Sequence, residues 1–191
     1  MDGVLVDFVK GVVEQTNKNL KDPTKQTKQM KKLKKALEEA DETSISLKDL
    51  DKLAVPRTPL IKAARDYMYS TFSNDEEFWA TLPWMPDGQE LWNAIRPFKP
   101  DILTTPMGPG SERGKQRWVE EHLKLPDVRV FFSGEKYEKV KNGKYDILID
   151  DFSSNTIPWK NAKGTSILHT SAARTKKELR DLGLELPEED I

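Results

Sequence analysis

Residues 145–151 read YDILIDD, a short apolar run that ends in two adjacent aspartates. A short continuous apolar run bounded by polar residues is typical of a buried β-strand. Paired carboxylates at the end of such a strand are costly unless a cation or hydrogen bonds satisfy them. The stretch therefore predicts a buried strand whose carboxyl end carries a polar site.

Three similar apolar runs lie in the same half of the chain, at Asp101–Thr105, Val128–Phe132 and Thr165–Thr170. Segments with helical spacing separate the runs, and the clearest of them is SERGKQRWVEEHLKL at residues 111–125. Strands that alternate with helices predict parallel pairing through right-handed crossovers. The fold class is therefore predicted to be α/β, with the ligand at the carboxyl ends of the strands.

The first half of the chain has a different character. Residues 9–87 show helical spacing and no convincing strand, and the segment at 25–40 places Met30, Leu33 and Leu37 on one stripe. A chain of 191 residues holds one domain, or one domain with an inserted subdomain. The sequence thus predicts a helical region that precedes an α/β region.

Composition excludes several classes of function. A formal net charge of -1 argues against a general attraction to nucleic acid or to anionic membranes, and the lysine-rich residues 21–35 are predicted to form a solvated helix face. The absence of cysteine excludes disulfides and thiolate chemistry. No apolar run is long enough to span a membrane, and Asp2 stands where a signal peptide would be basic. We expect a cytoplasmic protein.

Polar residues follow three of the predicted strands. Thr104 and Thr105 end the first strand, Lys136 follows the second, and Asp150 and Asp151 end the third. Hydroxyls and an ammonium group hold phosphate oxygens, and carboxylates hold magnesium. Each residue alone also has an ordinary structural role, such as capping a turn or a helix or lying at the surface. As an ordered set they predict a site for a phosphate with magnesium.

The segment MGPGSERGKQ, residues 107–116, resembles a second type of phosphate site, the nucleotide-binding P-loop G-x-x-x-x-G-K-[ST]. It departs from that pattern twice, because Pro109 stands at the first glycine and Gln116 replaces the hydroxyl residue. We therefore interpret Gly108 and Gly110 as a turn before the following helix.

The four motifs MDGVLVDF (residues 1–8), ILTTP (102–106), Lys136 and DILIDD (146–151) together resemble the haloacid dehalogenase superfamily of phosphotransferases. Within it they are most similar to the 5'(3')-deoxyribonucleotidase family. The resemblance implies a three-layer α/β core with a parallel sheet, formed by residues 1–10 and 82–191. Residues 11–81 would form a helical cap inserted after the first motif.

The resemblance also implies an activity, the magnesium-dependent dephosphorylation of a nucleoside or deoxynucleoside monophosphate. Asp2 would act as the general acid, and its backbone carbonyl would bind Mg²⁺. Lys136 would steady the nucleophile and the phosphate, and Phe8 would pack against the substrate base. The remaining matches are the phosphate-holding hydroxyls of Thr104 and Thr105 and the magnesium-binding carboxylates of Asp150 and Asp151. A homodimer is left open.

The chain departs from the family pattern before Asp2. The family's nucleophilic aspartate would stand two positions earlier, at the end of a β-strand. That strand would lie in the middle of the sheet, between the strands that end at Thr104 and Asp150. Neither the aspartate nor the strand is in this sequence. One explanation is a start assigned to an internal methionine. The other is a genuine short product that binds phosphate or nucleotide without turning it over, or that has no activity. A separate alternative for the activity is a phosphatase that acts on sugar phosphates or nucleic acid ends.

Overall fold

The computed structural model describes residues 1–50, 58–125 and 127–187. The chain divides into two compact units. One, here called the α/β unit, consists of Met1–Asp7, Trp84–Pro106 and Gln116–Ile191. The other, the helical unit, consists of Phe8–Pro83 and Met107–Lys115. Within the described ranges, no helix is both long and apolar enough to cross a membrane.

The α/β unit contains four strands, β1 (Ile102–Thr104), β2 (Val130–Phe132), β3 (Ile147–Asp150) and β4 (Thr165–Leu168). Each lies inside one of the predicted apolar runs. β1 pairs with β2 and β3 pairs with β4, both in parallel. The prediction of an α/β fold with parallel pairing is confirmed. The strands form two separate two-stranded sheets, because no strand in the described part of the chain pairs with both β1 and β3.

Four helices complete the α/β unit in whole or in part: α5 (Gly88–Ile95), α6 (Pro109–Leu123), α7 (Ser153–Asn161) and α8 (Ala172–Asp181). Single turns of 3₁₀ helix lie at Leu47–Leu50 in the helical unit and at Arg96–Phe98, Lys136–Lys139 and Gly143–Tyr145 in the α/β unit.

Polar contacts hold α8 against α5. The Asp87 carboxylate accepts the backbone N–H of Ala172 at 2.6 Å, at the first residue of α8. The Ser171 side chain caps the same helix by accepting from the N–H of Arg174. Further along, the Lys176 ammonium lies 2.5 Å from a carboxylate oxygen of Glu90, and the lysine is buried. The start of α8 is therefore held in a defined position, just after the carboxyl end of β4.

The helical unit contains α1 (Phe8–Lys21), α2 (Lys28–Glu39), α3 (Pro59–Phe72) and α4 (Glu76–Ala80). The predicted stripe of Met30, Leu33 and Leu37 is buried, as the helical spacing requires. Side-chain oxygens cap three of these helices at their amino ends, and these belong to Thr27, Thr58 and Asp75.

Side-chain amides join distant parts of the helical unit. The Asn17 amide both donates to the backbone carbonyl of Ile45 at 2.9 Å and accepts its N–H at 3.0 Å. The Asn19 amide donates to the Tyr67 hydroxyl at 2.9 Å, with both groups buried. These bonds tie α1 to α3 and to the segment after α2, so that helices distant in sequence hold one arrangement.

The interpretation of Gly110 as part of a turn is wrong, because α6 already begins at Pro109. Gly110 serves instead to let the backbone of α6 approach the backbone of residues 74–76 closely. A Cβ atom built on Gly110 would lie 2.2 Å from the backbone carbon of Asn74, and one on Gly114 would lie 2.4 Å from the carbonyl oxygen of Glu76. Gly110 thus lets α6 pack directly on the segment that leads into α4, and Gly114 lets it pack on α4 itself.

We predict that Gly114→Ala destabilises the protein. Helix propensity alone would stabilise an alanine over a glycine by up to about 1 kcal/mol. The added Cβ atom would instead meet a backbone oxygen, so we expect a net loss of roughly 1–3 kcal/mol in the free energy of unfolding. Gly11→Ala is the control, because the one atom its Cβ would approach too closely is the flexible end of Leu82, at 2.3 Å, while Pro83 lies at an ordinary contact distance of 3.6 Å. Denaturant unfolding measures both, and equal effects would contradict the packing argument.

Candidate functional site

The amino-terminal turn forms one wall of the candidate site. The backbone N–H groups of Gly3 and Leu5 donate to the carbonyls of Val6 and Met1, each at 2.9 Å, so residues 1–6 fold back on themselves. Gly3 has a φ of +70°, a conformation that glycine adopts without strain. The Met85 N–H donates to the Leu5 carbonyl at 2.7 Å and anchors the turn to the segment before α5.

Asp150 and Lys136 form a buried ion pair at the carboxyl end of β3. The Lys136 Nζ atom lies 2.5 Å from Asp150 Oδ2, and the two side chains are only 7% and 3% exposed. The other carboxylate oxygen, Oδ1, accepts from the backbone N–H of Phe152 at 3.0 Å and from the Asn155 amide at 2.8 Å. Both oxygens of Asp150 therefore have donors, as a buried carboxylate requires.

The electrostatic balance keeps Asp150 ionised. Burial would raise the pKa of this carboxyl group, but the charge and hydrogen bond of Lys136 together with the Asn155 amide outweigh it. The pKa of Asp150 consequently lies below its ordinary value. The positive charge of the amino terminus makes a smaller contribution in the same direction.

Asp151 lies directly against the amino-terminal turn. A Cβ atom built on Gly3 would be 2.1 Å from Asp151 Oδ2, so this glycine leaves room for the Asp151 carboxylate. The turn therefore brings the backbone next to Asp2 together with the second aspartate of the DILIDD motif. The first and the last of the predicted motifs thus meet at one corner of the α/β unit.

The threonines end the neighbouring sheet. Thr104 is buried at the last position of β1, and its carbonyl accepts the N–H of Ser133 at 3.0 Å. Thr105 is exposed, and its hydroxyl donates to the Ser133 carbonyl at 3.0 Å. Since β1 and β2 are parallel, Thr104, Thr105 and Ser133 lie together at the carboxyl ends of that sheet's strands. Ser133 precedes Lys136 by three residues. Lys136 then reaches the end of β3, and so connects the carboxyl ends of both sheets.

Phe8 belongs to the helical unit, at the first residue of α1. Its ring stacks on Trp79 with centroids 4.9 Å apart and an interplanar angle of 7°. Phe78 contacts both rings edge-on, at 6.5 Å from Phe8 and 5.6 Å from Trp79. Trp79 is buried, and its indole N–H donates to the Phe72 carbonyl at 2.7 Å. In this structure Phe8 thus has a packing role within an aromatic cluster.

Sequence reasoning missed two residues near the strand ends. Asn155 holds Asp150, but only the folding of α7 directs it there. The His169 N–H donates to the Asp150 carbonyl at 2.8 Å, and its ring hydrogen-bonds with Thr175 at 2.8 Å. Burial lowers the pKa of His169, while the charges of Asp87 and Asp151 oppose that shift. The position of His169 right after β4 was the available signal, because most of the predicted site residues also follow a strand.

The donors suit a hard cation in their chemistry. Magnesium is usually bound by one or two carboxylates, with water and phosphate oxygens completing its coordination. Asp2, Asp150 and Asp151 are the residues predicted to hold it, and Asp151 lies against the turn that carries Asp2. The hydrogen bonds to Asp150 do not remove it from this set, because a carboxylate has about four lone-pair sites. Within the described residues, no group of three or more acidic, histidine or cysteine side chains converges on one point.

Comparison with known proteins identifies no relative: no family model, no curated protein and no solved structure matches this chain.

We predict that Lys136→Met is strongly destabilising. The substitution leaves the Asp150 carboxylate buried without its cation, a loss that costs about 3–5 kcal/mol in comparable buried pairs. Lys139→Met is the matched control, since Lys139 is exposed on the same 3₁₀ turn. The double variant Lys136→Met/Asp150→Leu should recover part of the stability. Urea unfolding at neutral pH measures all three, and equal losses for Lys136→Met and Lys139→Met would contradict the assignment.

The same pair predicts a pH dependence. Because the pKa of Asp150 is lowered by folding, the pair's contribution is complete above the ordinary carboxyl pKa of 3.8 and is lost as the pH falls through the lowered value. The gap in free energy of unfolding between wild type and Lys136→Met should therefore be largest near neutral pH and shrink below about pH 4. Urea titrations across this range measure it. A gap that stays constant with pH would show that Lys136 stabilises the fold only by packing.

Proposed function

We propose that this protein is a magnesium-dependent phosphomonoester hydrolase with a three-layer haloacid dehalogenase core, acting on nucleoside or deoxynucleoside monophosphates. The observation that carries the proposal is the buried Lys136–Asp150 pair, 2.5 Å apart at the carboxyl end of β3. Phosphoryl transfer depends mainly on positioning and on charge neutralisation around the transferred group. A fixed ammonium group among strand-end carboxylates and hydroxyls supports that chemistry.

Phosphate binding is assigned to Lys136, Thr104 and Thr105. The lysine ammonium has three protons, and its contact with Asp150 Oδ2 uses one of them. The ionised Asp150 keeps Lys136 oriented, so that the ammonium does not have to be ordered when the phosphate arrives. The threonine hydroxyls at the end of β1 add donors of the kind that hold phosphate oxygens.

Proton transfer is assigned to Asp2. In the proposed reaction its carboxyl group protonates the leaving oxygen and, as the carboxylate, then activates water. The turn at residues 1–6 holds it, since the backbone of Gly3 is fixed by its bond to Val6 and by its approach to Asp151. Magnesium, held by the backbone carbonyl of Asp2 and by Asp150 and Asp151, would supply neutralisation of the phosphate charge.

The covalent route also requires a carboxylate nucleophile in line with the leaving oxygen. The family pattern places this aspartate immediately before Met1. An apolar strand ending in aspartate, added at that position, would supply this nucleophile. A second candidate function is binding of a phosphorylated ligand without turnover, because the chain itself contains the lysine, the hydroxyls and the carboxylates of the site.

We predict that an extended form, with an apolar strand ending in aspartate placed before Met1, releases phosphate from deoxynucleoside monophosphates in a magnesium-dependent reaction. Removing either the added nucleophilic aspartate or the proton-transfer group Asp2 should lower turnover by several orders of magnitude, because each acts in the transition state. Asp2→Asn in the extended form should therefore abolish turnover with only a modest effect on substrate binding. Phosphate release and equilibrium binding measure the two effects separately.

The same extension ending in asparagine is the matched control for the nucleophile, and Asp127→Asn, at an exposed position, is the control for Asp2. Hydrolysis that persists in the asparagine form would rule out the covalent route. Tight binding of a nucleotide without turnover in every extended form would favour the second candidate. Activity restricted to sugar phosphates or to oligonucleotide ends would change the substrate class while keeping the chemistry.

A further inference from the structure

A basic surface lies on the helical unit, and the proposed hydrolase activity does not use it. Residues 18–35 contain eight lysines and a single acidic residue, Asp22, although the whole chain has a formal net charge of -1. Four of these lysines are exposed on α2 at positions i, i+3, i+4 and i+7, namely Lys28, Lys31, Lys32 and Lys35. This spacing places them on one side of the helix, which we call the lysine face.

The described part of the chain neutralises little of this charge. Within it, Lys35 is the only member of the lysine face with an ion pair, and its Nζ atom lies 3.7 Å from a carboxylate oxygen of Glu39. Asp22 is engaged in its own turn, because its Oδ1 atom accepts the N–H and the hydroxyl of Thr24 at 2.8 and 2.6 Å. The charge of Asp22 acts on lysines outside the lysine face. The face therefore keeps most of its positive charge.

The order of charges along α2 works against the helix itself. Its first turn contains no acidic residue, and its last turn contains Glu38 and Glu39 but no basic residue. The positive end of the helix dipole, at the amino terminus, therefore meets the like charges of Lys28 and Lys31. Lysines one turn apart, such as Lys28 and Lys32, repel each other as well. A polyanionic partner would offset both costs.

The apolar residues of α2 distinguish between the polyanions that could bind. A helix that binds a membrane surface needs an apolar side that is free to enter the lipid. Met30, Leu33 and Leu37 are instead buried inside the helical unit, each at most 4% exposed. None of the large apolar side chains exposed in the described ranges lies at residues 18–35, so an apolar anchor for a protein partner is also missing there. The lysine face thus offers charge alone, which suits a phosphate backbone in water.

The dimensions of the lysine face match a short row of phosphates. Lys28 and Lys35 are seven residues apart, which corresponds to roughly 10 Å along the helix axis. Successive phosphates of one strand of a duplex advance by about 3.4 Å, so the face spans roughly three to four of them. Residues 18–35 contain no arginine and no aromatic residue, the side chains that most often read bases or stack on them. We therefore expect contacts with phosphates and none with bases.

We propose that the lysine face binds the phosphate backbone of double-stranded nucleic acid independently of its base sequence. Each lysine acts as a point charge that neutralises a phosphate and releases its counterions. A duplex is the preferred form, because it carries the higher charge density and no stacking surface is present to favour single strands. This inference concerns the helical unit alone and does not depend on the proposed hydrolase activity.

The test measures binding of the 191-residue chain to a fluorescently labelled DNA duplex by anisotropy, at several salt concentrations. Neutralisation of three to four phosphates predicts a slope of about -3 to -4 for log affinity against log salt, or a roughly 50- to 150-fold loss of affinity between about 50 and 200 mM salt. The variant Lys28→Gln/Lys31→Gln/Lys32→Gln should lose most of this slope and bind at least roughly tenfold more weakly at low salt.

A matched control separates the lysine face from net charge. The variant Lys141→Gln/Lys144→Gln/Lys160→Gln removes three exposed lysines of the α/β unit and therefore has the same net charge. It should bind the duplex as the unmodified chain does. The thermal midpoint of the lysine-face variant should stay unchanged or rise, because repulsion on α2 is relieved. Its loss of binding would then not result from unfolding.

Four results would overturn the proposal. The first is the absence of duplex binding at low salt, and the second is an equal loss of binding in the two triple variants. The third is tighter binding of a single strand than of the duplex, which would point to base stacking. The fourth is binding of phosphatidylserine vesicles or of polyglutamate as tight as that of the duplex, which would indicate a membrane surface or an acidic protein as the partner.

Discussion

The ion pair between Lys136 and Asp150 is the interaction on which the α/β unit depends. β1 and β3 share no hydrogen-bonded partner in the described part of the chain, so the two sheets are joined at their carboxyl ends by a side chain. Lys136 lies on the turn that follows β2, and Asp150 is the last residue of β3. Removing either charge leaves the other buried without its partner, which is strongly destabilising. The same constraint orients the buried ammonium group that the proposed phosphate site uses.

Much of the fold was predictable because its signals are local. Each of the four strands lies within a short apolar run, and the alternation with helices indicates their parallel pairing. The stripe of Met30, Leu33 and Leu37 followed from helical spacing in the same way. Gly110 was misread because its role depends on Asn74, far away in the sequence. A glycine that permits close packing looks, in the sequence alone, like a glycine that permits a turn.

In the candidate site, too, some features could be predicted from the sequence and others could not. In a parallel sheet the carboxyl ends of the strands lie at the same edge. Because Lys136 and Asp150 each follow or end a strand, their proximity could be predicted from the sequence. The contributions of Asn155 and His169 could not, because they depend on the first turn of α7 and on the burial of a ring beside Thr175. The packing of Phe8 on Trp79 likewise reflects three-dimensional contacts that no motif contains.

Titration with inorganic phosphate tests most directly the proposal that the strand ends of the α/β unit form a magnesium-dependent phosphate site. Amide resonances are followed by NMR in the 191-residue chain, with and without Mg²⁺. We expect phosphate to shift the resonances of Gly3, Thr105 and Lys136 together, and the affinity to rise when Mg²⁺ is present. Shifts confined to other parts of the chain, or binding to these residues that is indifferent to Mg²⁺, would contradict it.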